Sequence, residues 1–344
     1  MSQRSFSLGF LNRVYSPTYT PQVYQHALEL FRVAEELGFD SGWVAQHHLG
    51  CETGRLPSPL PLLAAAAQRT SRIKLGTGIV VLPHEPTLRL AEDAAVLDLL
   101  ADGRLQLGLG AGFDPDSFTA FEQPISERHA LYDSRLQQLQ NILAGAALNA
   151  NGQQLNPPAA GLAERLWEAT SRVEQVAERG NGLIVAPNPH QPSSGSVELI
   201  HRYRDAWLLG HGSRPRVALV RAVFPGVDAQ DQDSSLRRDI NAYIERQRSI
   251  GVYPGDAGLS FAEELDRLGV LYGDSESIVR RLAQGAQLSA DDHLVVQVQT
   301  SSTGLDEAIG HLQRIATEIA PALGWQPRSK PSTHIAGSST VIPA

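Results

Sequence analysis

Short apolar runs alternate with longer amphipathic stretches along most of the chain, and this alternation predicts its elements. Phe6 to Leu11 reads as a strand. After a Pro-rich turn, Val23, Leu28, Leu30, Phe31, Ala34 and Leu37 recur at near-helical spacing, and Gly38 closes that helix as a C′ glycine does. Phe39 to Ala45 is a second strand that gives way to the polar Gln46-His47-His48, and Pro59 to Gln68 is a second helix. Ile73 to Leu82, nearly all apolar after Lys74, has the composition of a strand covered on both faces. A helix from Pro86 to Leu100 follows, with its proline where a first turn tolerates one. Arg104 to Leu109 then leads through Gly110-Ala111-Gly112 to a long helix, Glu127 to Leu143.

The second half keeps the alternation: strand Leu166 to Ala169, helix Val173 to Arg179, strand Leu183 to Ala186, helix Val197 to Leu209, and strand Arg216 to Phe224. A helix Ser277 to Ala286, a strand His293 to Thr300 and a helix Leu305 to Ile319 complete it. Strands that each lead into a helix predict parallel pairing through right-handed crossovers, and eight of them predict an α/β fold, a (β/α)8 TIM barrel, over residues 1–325. Residues 225–268 break the rhythm and read as an insertion after the seventh strand, where such segments shape the entrance to a site. Residues 326–344, with three Pro and several Ser and Thr, read as a flexible tail.

Composition narrows the partners. Of 344 residues, 29 are Lys or Arg and 37 are Asp or Glu, so the net charge of −8 offers no broad basic surface for nucleic acid or anionic lipid. The single cysteine, Cys51, excludes an intramolecular disulfide and a Cys-based zinc site, and fits a reducing compartment. There is no secretory leader pattern and no apolar run approaching the ~20 residues of a membrane span, so a cytoplasmic location is expected.

Candidate chemistry lies at the carboxyl ends of the strands, where parallel barrels carry their sites. His47 and His48 end the second strand; an imidazole there serves as general base or hydrogen-bond donor, or simply satisfies loop carbonyls. No HExxH motif or second cluster supports a metal site. Glycines 76, 78, 103, 108, 110 and 112 allow close backbone approach to a flat or charged ligand. No GxGxxG follows the first strand and no GxxxxGK[ST] occurs, so nucleotide hydrolysis has no support; no GxSxG marks a hydrolase. Ala169-Thr170-Ser171 before a helix makes either an anion site or an ordinary N-cap, the N-cap being the stronger reading of those residues alone. Glu168 and Arg128 fit a polar pocket around a phosphorylated cofactor, and Arg128 equally fits a solvated surface charge. Asp291-Asp292, before a strand, reads as a solvated turn.

Four segments then match a known pattern: Gly42 to His48, Leu75 to Pro83, Pro86 to Asp98 with Leu90-Ala91-Glu92-Asp93, and Asp102 to Gly110. Together they resemble the luciferase-like flavin monooxygenases, over roughly residues 5–320 and most strongly over the first 130. The resemblance implies a (β/α)8 barrel that takes reduced FMN as co-substrate from a separate NAD(P)H:flavin reductase and uses O2 to oxygenate a small organic substrate. A deazaflavin-dependent hydride-transfer oxidoreductase of the same superfamily and a non-catalytic flavin-binding barrel are the alternatives. Carried over, His47 falls on the active-site histidine with His48 beside it. Thr77-Gly78 falls where the family places an often-cis peptide beneath the isoalloxazine ring, and Gly110 ends the next strand of the cradle. Glu168, Ala169, Thr170 and Ser171 fall on the turn that holds the ribityl chain and phosphate, and Arg128 in the phosphate neighbourhood; Arg104 falls in a structural turn. Homodimers are common in the family, and the helix from Pro86 to Leu100 is apolar on more than one face.

There are departures. Gln46 replaces the usual acidic residue before the paired histidines. Gly110 and Ala111 stand where luciferase has a reactive cysteine and a phosphate-binding arginine, which argues against light emission from a long-chain aldehyde. The phosphate then depends on Arg128, Ser171 and helix-terminal N–H groups.

Overall fold

Strand β1 (Ser7–Asn12) opens the sheet and pairs in parallel with β2 (Ser41–Val44), which pairs with β3 (Lys74–Thr77). Beyond a short β4 (Val80–Val81), the series continues through β5 (Leu105–Gly110), β6 (Leu166–Ala169), β7 (Gly182–Val185) and β8 (Val217–Pro225). After β9 (Val270–Gly273), β10 (His293–Gln297) pairs with both β8 and β1, so β1, β2, β3, β5, β6, β7, β8 and β10 close into an eight-stranded parallel barrel. The computed structural model describes residues 6–16, 20–49, 54–159, 161–188, 195–208, 214–229, 231, 234–254, 258–285 and 288–327. Cys51 and nearly all of the expected tail lie outside them.

The helices are α1 (Pro21–Glu36), α2 (Pro59–Ala67), α3 (Thr87–Leu100), α4 (Pro115–Ala120), α5 (Arg128–Leu143), α6 (Val173–Glu178), α7 (Gly195–Leu208), α8 (Ser235–Ser249), α9 (Phe261–Arg267), α10 (Ser275–Ala283) and α11 (Leu305–Arg314). The expected (β/α)8 barrel is present. The expected single strand over Ile73 to Leu82 divides: β3 ends at Thr77, the Gly78–Ile79 bond is cis, and β4 resumes against the upper end of β5. Strand β9 was not legible, since only four residues pair, on the upper part of β8 from Ala222 to Pro225. The 225–268 segment contains α8 and α9, whose Leu236 and Leu265 bury against Phe224 and Val270. Arg246 of α8 reaches Asp116 of α4 at 2.9 Å and so ties the insertion across the mouth.

Two indoles plug the barrel. Trp43 and Trp167 meet edge to face at 5.5 Å, Trp43 Nε1 donates to Ser41 Oγ at 2.9 Å, and Trp167 Nε1 donates to Gln106 Oε1 at 3.0 Å. Their partners across the pleat are glycines. A Cβ on Gly76 would lie 2.3 Å from the Trp43 ring, and one on Gly182 the same distance from Trp167. Burying such large rings with their N–H groups satisfied makes a floor below the mouth.

The foot of the barrel corrects one expectation. Asp292 is not solvated: it is fully buried, accepting from Val217 N at 2.9 Å, Ser289 N at 2.7 Å and Arg204 at 2.6 Å. Its neighbour Asp291 pairs with Arg214 in solvent. Arg104 spends its guanidinium on the carbonyls of Ala67, Thr70, Ile73 and Ala101 and is structural, as expected.

Candidate functional site

Five strand ends meet around one cavity of about 320 Å³ at the mouth. Gln46 sets its rim: Oε1 accepts from Val81 N at 2.6 Å, and Nε2 donates to Pro57 O and to Glu85 Oε1. The amide thus binds the end of β2 to β4, and a carboxylate reappears nearby on Glu85. His47 follows, its backbone N–H given to Leu56 O at 2.9 Å and its Nε2 closed from solvent without a partner. Burial, then the charges of Arg13 and His48, push the His47 imidazole well below its ordinary range. It is therefore neutral near pH 7 and free to accept a proton or a hydrogen bond.

His48 Nε2 is likewise buried and unpartnered, and its ring stands edge-on to Phe121 at 4.8 Å and His84 at 5.7 Å. Burial, then His84, lowers its pKa as well. Among the described residues no group of His, Cys, Asp and Glu forms a metal site.

The glycines divide by role. Gly78, Gly110 and Gly112 line the cavity. Gly76 and Gly108 do not serve ligand approach: Gly76 makes room for Trp43, and a Cβ on Gly108 would sit 2.0 Å from Thr77 O. Gly103 faces open space. Thr77 is fully buried, and its hydroxyl both donates to Gly108 O and accepts from Gly108 N at 2.8 Å, so it pins β3 to β5 rather than presenting an oxygen to a ligand. The cis bond lies one residue beyond the expected Thr77-Gly78 peptide.

Glu168 departs most from expectation. It is fully buried outside the cavity wall, and its carboxylate accepts from Tyr132 Oη at 2.8 Å, Arg179 Nε and Nη2 at 2.9 and 2.7 Å, and Asn181 Nδ2 at 2.9 Å. With every lone pair engaged, it knots β6, α5 and α6 together and has nothing left for a cofactor. Ala169, Thr170 and Ser171, by contrast, line the cavity together with Arg128. The cap of α6 is Arg172, without a side-chain bond, so Thr170 and Ser171 are not its N-cap; with six residues, α6 lends them little dipole.

Arg128 stands at the amino end of α5 on the wall of both this cavity and an adjoining one of about 710 Å³. Among the described residues its one hydrogen bond is a 3.5 Å approach to Ile125 O, whereas the neighbouring Arg172 is held by Asp133 at 2.7 and 2.8 Å. Arg128 thus stands beside the hydroxyls of Thr170 and Ser171 with no ion pair among the described residues, a set suited to a phosphate.

Arg13, directly after β1, was missed, although the strand-end rule that selected His47 points to it equally. It lines both of these cavities and a further one of about 130 Å³. Gly54, at φ +138, lets its backbone pass close to Arg13 O and His47 Cδ2, so the three segments converge. The insertion adds Tyr243 and Gln247 to the opposite wall; no motif in 225–268 marked them.

A family model described as luciferase-like monooxygenase matches residues 5–319. N-acetyl-S-alkylcysteine monooxygenase of Bacillus subtilis is 26% identical over 286 residues, covering 76% of this chain and 82% of its own. Monooxygenase RslO1 of Streptomyces bottropensis superposes with a TM-score of 0.77 at 24% identity, covering 93% of this chain and 99% of its own. The FMN complex of the oxygenating constituent of 3,6-diketocamphane monooxygenase from Pseudomonas putida gives 0.74 at 19%, covering 92% and 98%. An F420-dependent secondary alcohol dehydrogenase shares the fold at 0.66 and 16%, covering 93% and 99%. No helix among the described residues is long and apolar enough to cross a membrane.

Proposed function

The chain belongs to the luciferase-like monooxygenase family, and from that premise we propose that it uses reduced FMN and O2 to oxygenate a small organic substrate. The observation that carries this reading is the uncommitted Arg128 guanidinium at one end of a strand-end cavity whose other end holds the neutral His47. The residues present fit the cofactor. Arg128, Thr170 and Ser171 would hold the phosphate, Ala169 the ribityl chain, and Gly78, Ile79 and Gly110 offer backbone and a single apolar side chain to a flat ring.

When bound, the flavin supplies the activation of O2 and the transfer of oxygen. The chain orients it, excludes water with Trp43, Trp167 and the insertion, and holds a proton acceptor at His47 Nε2 with His48 beside it. Thr77 and Glu168 act at one remove, by fixing the strands that carry the cradle.

Reduced FMN arrives, in this reading, from a separate NAD(P)H:flavin reductase. Val96, Leu99 and Leu100, 48%, 60% and 51% exposed, lie with Leu88 on the outer face of α3, and we assign that face to a homodimer. Anaerobic titration with reduced FMN, followed by mixing with air, tests the cofactor. A tight complex whose reoxidation differs in rate and spectrum from that of free reduced FMN supports a monooxygenase. Selective binding of a reduced deazaflavin that is indifferent to air would instead make the enzyme a hydride-transfer oxidoreductase, and reoxidation indistinguishable from free flavin would leave a flavin-binding barrel.

A further inference from the structure

Among the described residues, Arg13 is a cation without an anion. Its Nε is closed from solvent and has no partner, and Nη1 donates to the phenol Oη of Tyr15 at 3.2 Å. Tyr243, brought in by the insertion, is the other group that bears on the guanidinium. Among the described residues no carboxylate forms an ion pair with it. A half-buried guanidinium normally meets a carboxylate, because phenols and dipoles alone replace its hydration poorly.

The space in front of it is built for something specific. A cavity of about 130 Å³ runs from Arg13, Tyr15 and Tyr243 between apolar walls that include Val220, Ala222, Phe224 and Val270. Its polar groups are elsewhere committed. Asp239, the one carboxylate on this wall, accepts from Thr300 Oγ1 at 2.6 Å and from Ser302 N and Oγ at 2.9 and 2.6 Å, so its charge holds the 300–302 turn against α8. Gln297 donates to Gln299 O. Arg13, Tyr243, Ala186 and Pro187 also border the larger cavity, so the two lie side by side.

We propose that Arg13 is a specificity-determining residue, the anchor of a substrate subsite for an organic anion, a carboxylate whose apolar body lies in the chamber behind it. This rests on the mouth being an oxygenation site. The guanidinium fork matches a planar carboxylate in two hydrogen bonds, and the tyrosine hydroxyls supply further donors to the same oxygens. Arg13 also borders the cavity lined by His47, Gly78 and Ile79, so a substrate pinned by its charged end holds that end beside the reacting wall.

The test uses benzoate as probe and benzyl alcohol as its neutral counterpart, titrated calorimetrically into the full chain with and without FMN. Wild type is expected to prefer benzoate by roughly tenfold or more, the scale of one charge-assisted pair. Arg13→Met abolishes the preference, Arg13→Lys keeps part of it, and affinity for FMN stays within about twofold of wild type in both, since a preference for the anion alone is at stake. Equal binding of the two probes to wild type overturns the proposal even if no variant folds. So does an Arg13→Met protein that loses FMN while retaining its benzoate preference, because the guanidinium then serves the flavin. A benzoate preference that persists in a chain unable to bind FMN sinks the flavin reading and leaves the anion subsite standing.

Discussion

Glu168 and Arg13 are both charged side chains set into the barrel wall, and the fold treats them in opposite ways. Glu168, at the β6 end, is surrounded by four donor atoms from Tyr132, Arg179 and Asn181. Arg13, at the β1 end, has a neutral phenol and a sealed, unpartnered Nε. The contrast extends beyond the pair. Asp292 and Asp98 near the foot are each met by an arginine, at 2.6 Å in both cases. At the mouth, Arg13, His47 and His48 each keep a ring or guanidinium nitrogen without a partner, and Gln247 leaves both amide atoms unused. Asp291, at the foot, is the exception: its Oδ2 accepts no hydrogen bond and faces Arg214 Nη1 at 3.5 Å. Burying a polar group without a partner costs stability, so a fold that satisfies such groups in one region and leaves them open in another marks the second as the place where a ligand completes the set.

The largest effect that would break this comparison is at Glu168. Glu168→Ala strands the Arg179 guanidinium against a buried phenol and should lower unfolding free energy by about 3–5 kcal/mol, the cost of removing one partner of a buried pair. Urea denaturation measures it; a loss below about 1 kcal/mol would place the carboxylate in a solvated setting. His47→Ala should lower turnover by about 10²-fold while leaving the urea midpoint near that of wild type. Unaltered turnover would reduce the imidazole to a loop contact.

Arg128→Ala should weaken FMN by about 1.5–3 kcal/mol, as expected for a lost charge-assisted bond, with no matching loss of stability. An unchanged dissociation constant would make Arg128 a surface charge. The smallest effect concerns pH. The folded chain holds His47, His48 and His84 below 6.5, burial being the foremost cause in each. Below pH about 6.5 the unfolded chain binds protons that the folded chain refuses, so stability should fall with acid by at most about 1.4 kcal/mol per pH unit per group. Their contribution is complete above that pH and declines as pH drops towards the folded values. Melting temperatures from pH 7.5 to 5.5 follow it, and His47→Gln should flatten the slope; an equal slope in the variant would locate the titration elsewhere.

Much of the architecture was legible because it is local. Apolar runs, first-turn prolines and closing glycines locate most strands and helices with little reference to their neighbours, and Gly38, at φ +89, closes α1 as read. The division of β3 was not legible, since the apolar run continues through the break. Strand β9 was hidden because four residues beside a long insertion carry no periodicity. At the site, His47, His48, Gly78, Gly110, Arg128 and residues 169–171 converge on one cavity wall as the strand-end rule requires. Thr77 and Glu168 do not join them, because whether a strand-end side chain faces the cavity or the next strand depends on its partners across the sheet.

By itself, then, the order of residues determined the repeating strand and helix units, the end of the barrel that carries chemistry, and the residue types available there. Only the tertiary structure decided which charges are spent and which are free. Glu168 and Arg13 look alike in sequence, each a charged residue at a strand end, and differ through Tyr132, Arg179 and Asn181 on one side and an insertion that brings Tyr243 on the other. Hydrogen bonds reach only about 3 Å, so the function of a charge is settled by neighbours that the chain brings together from far apart.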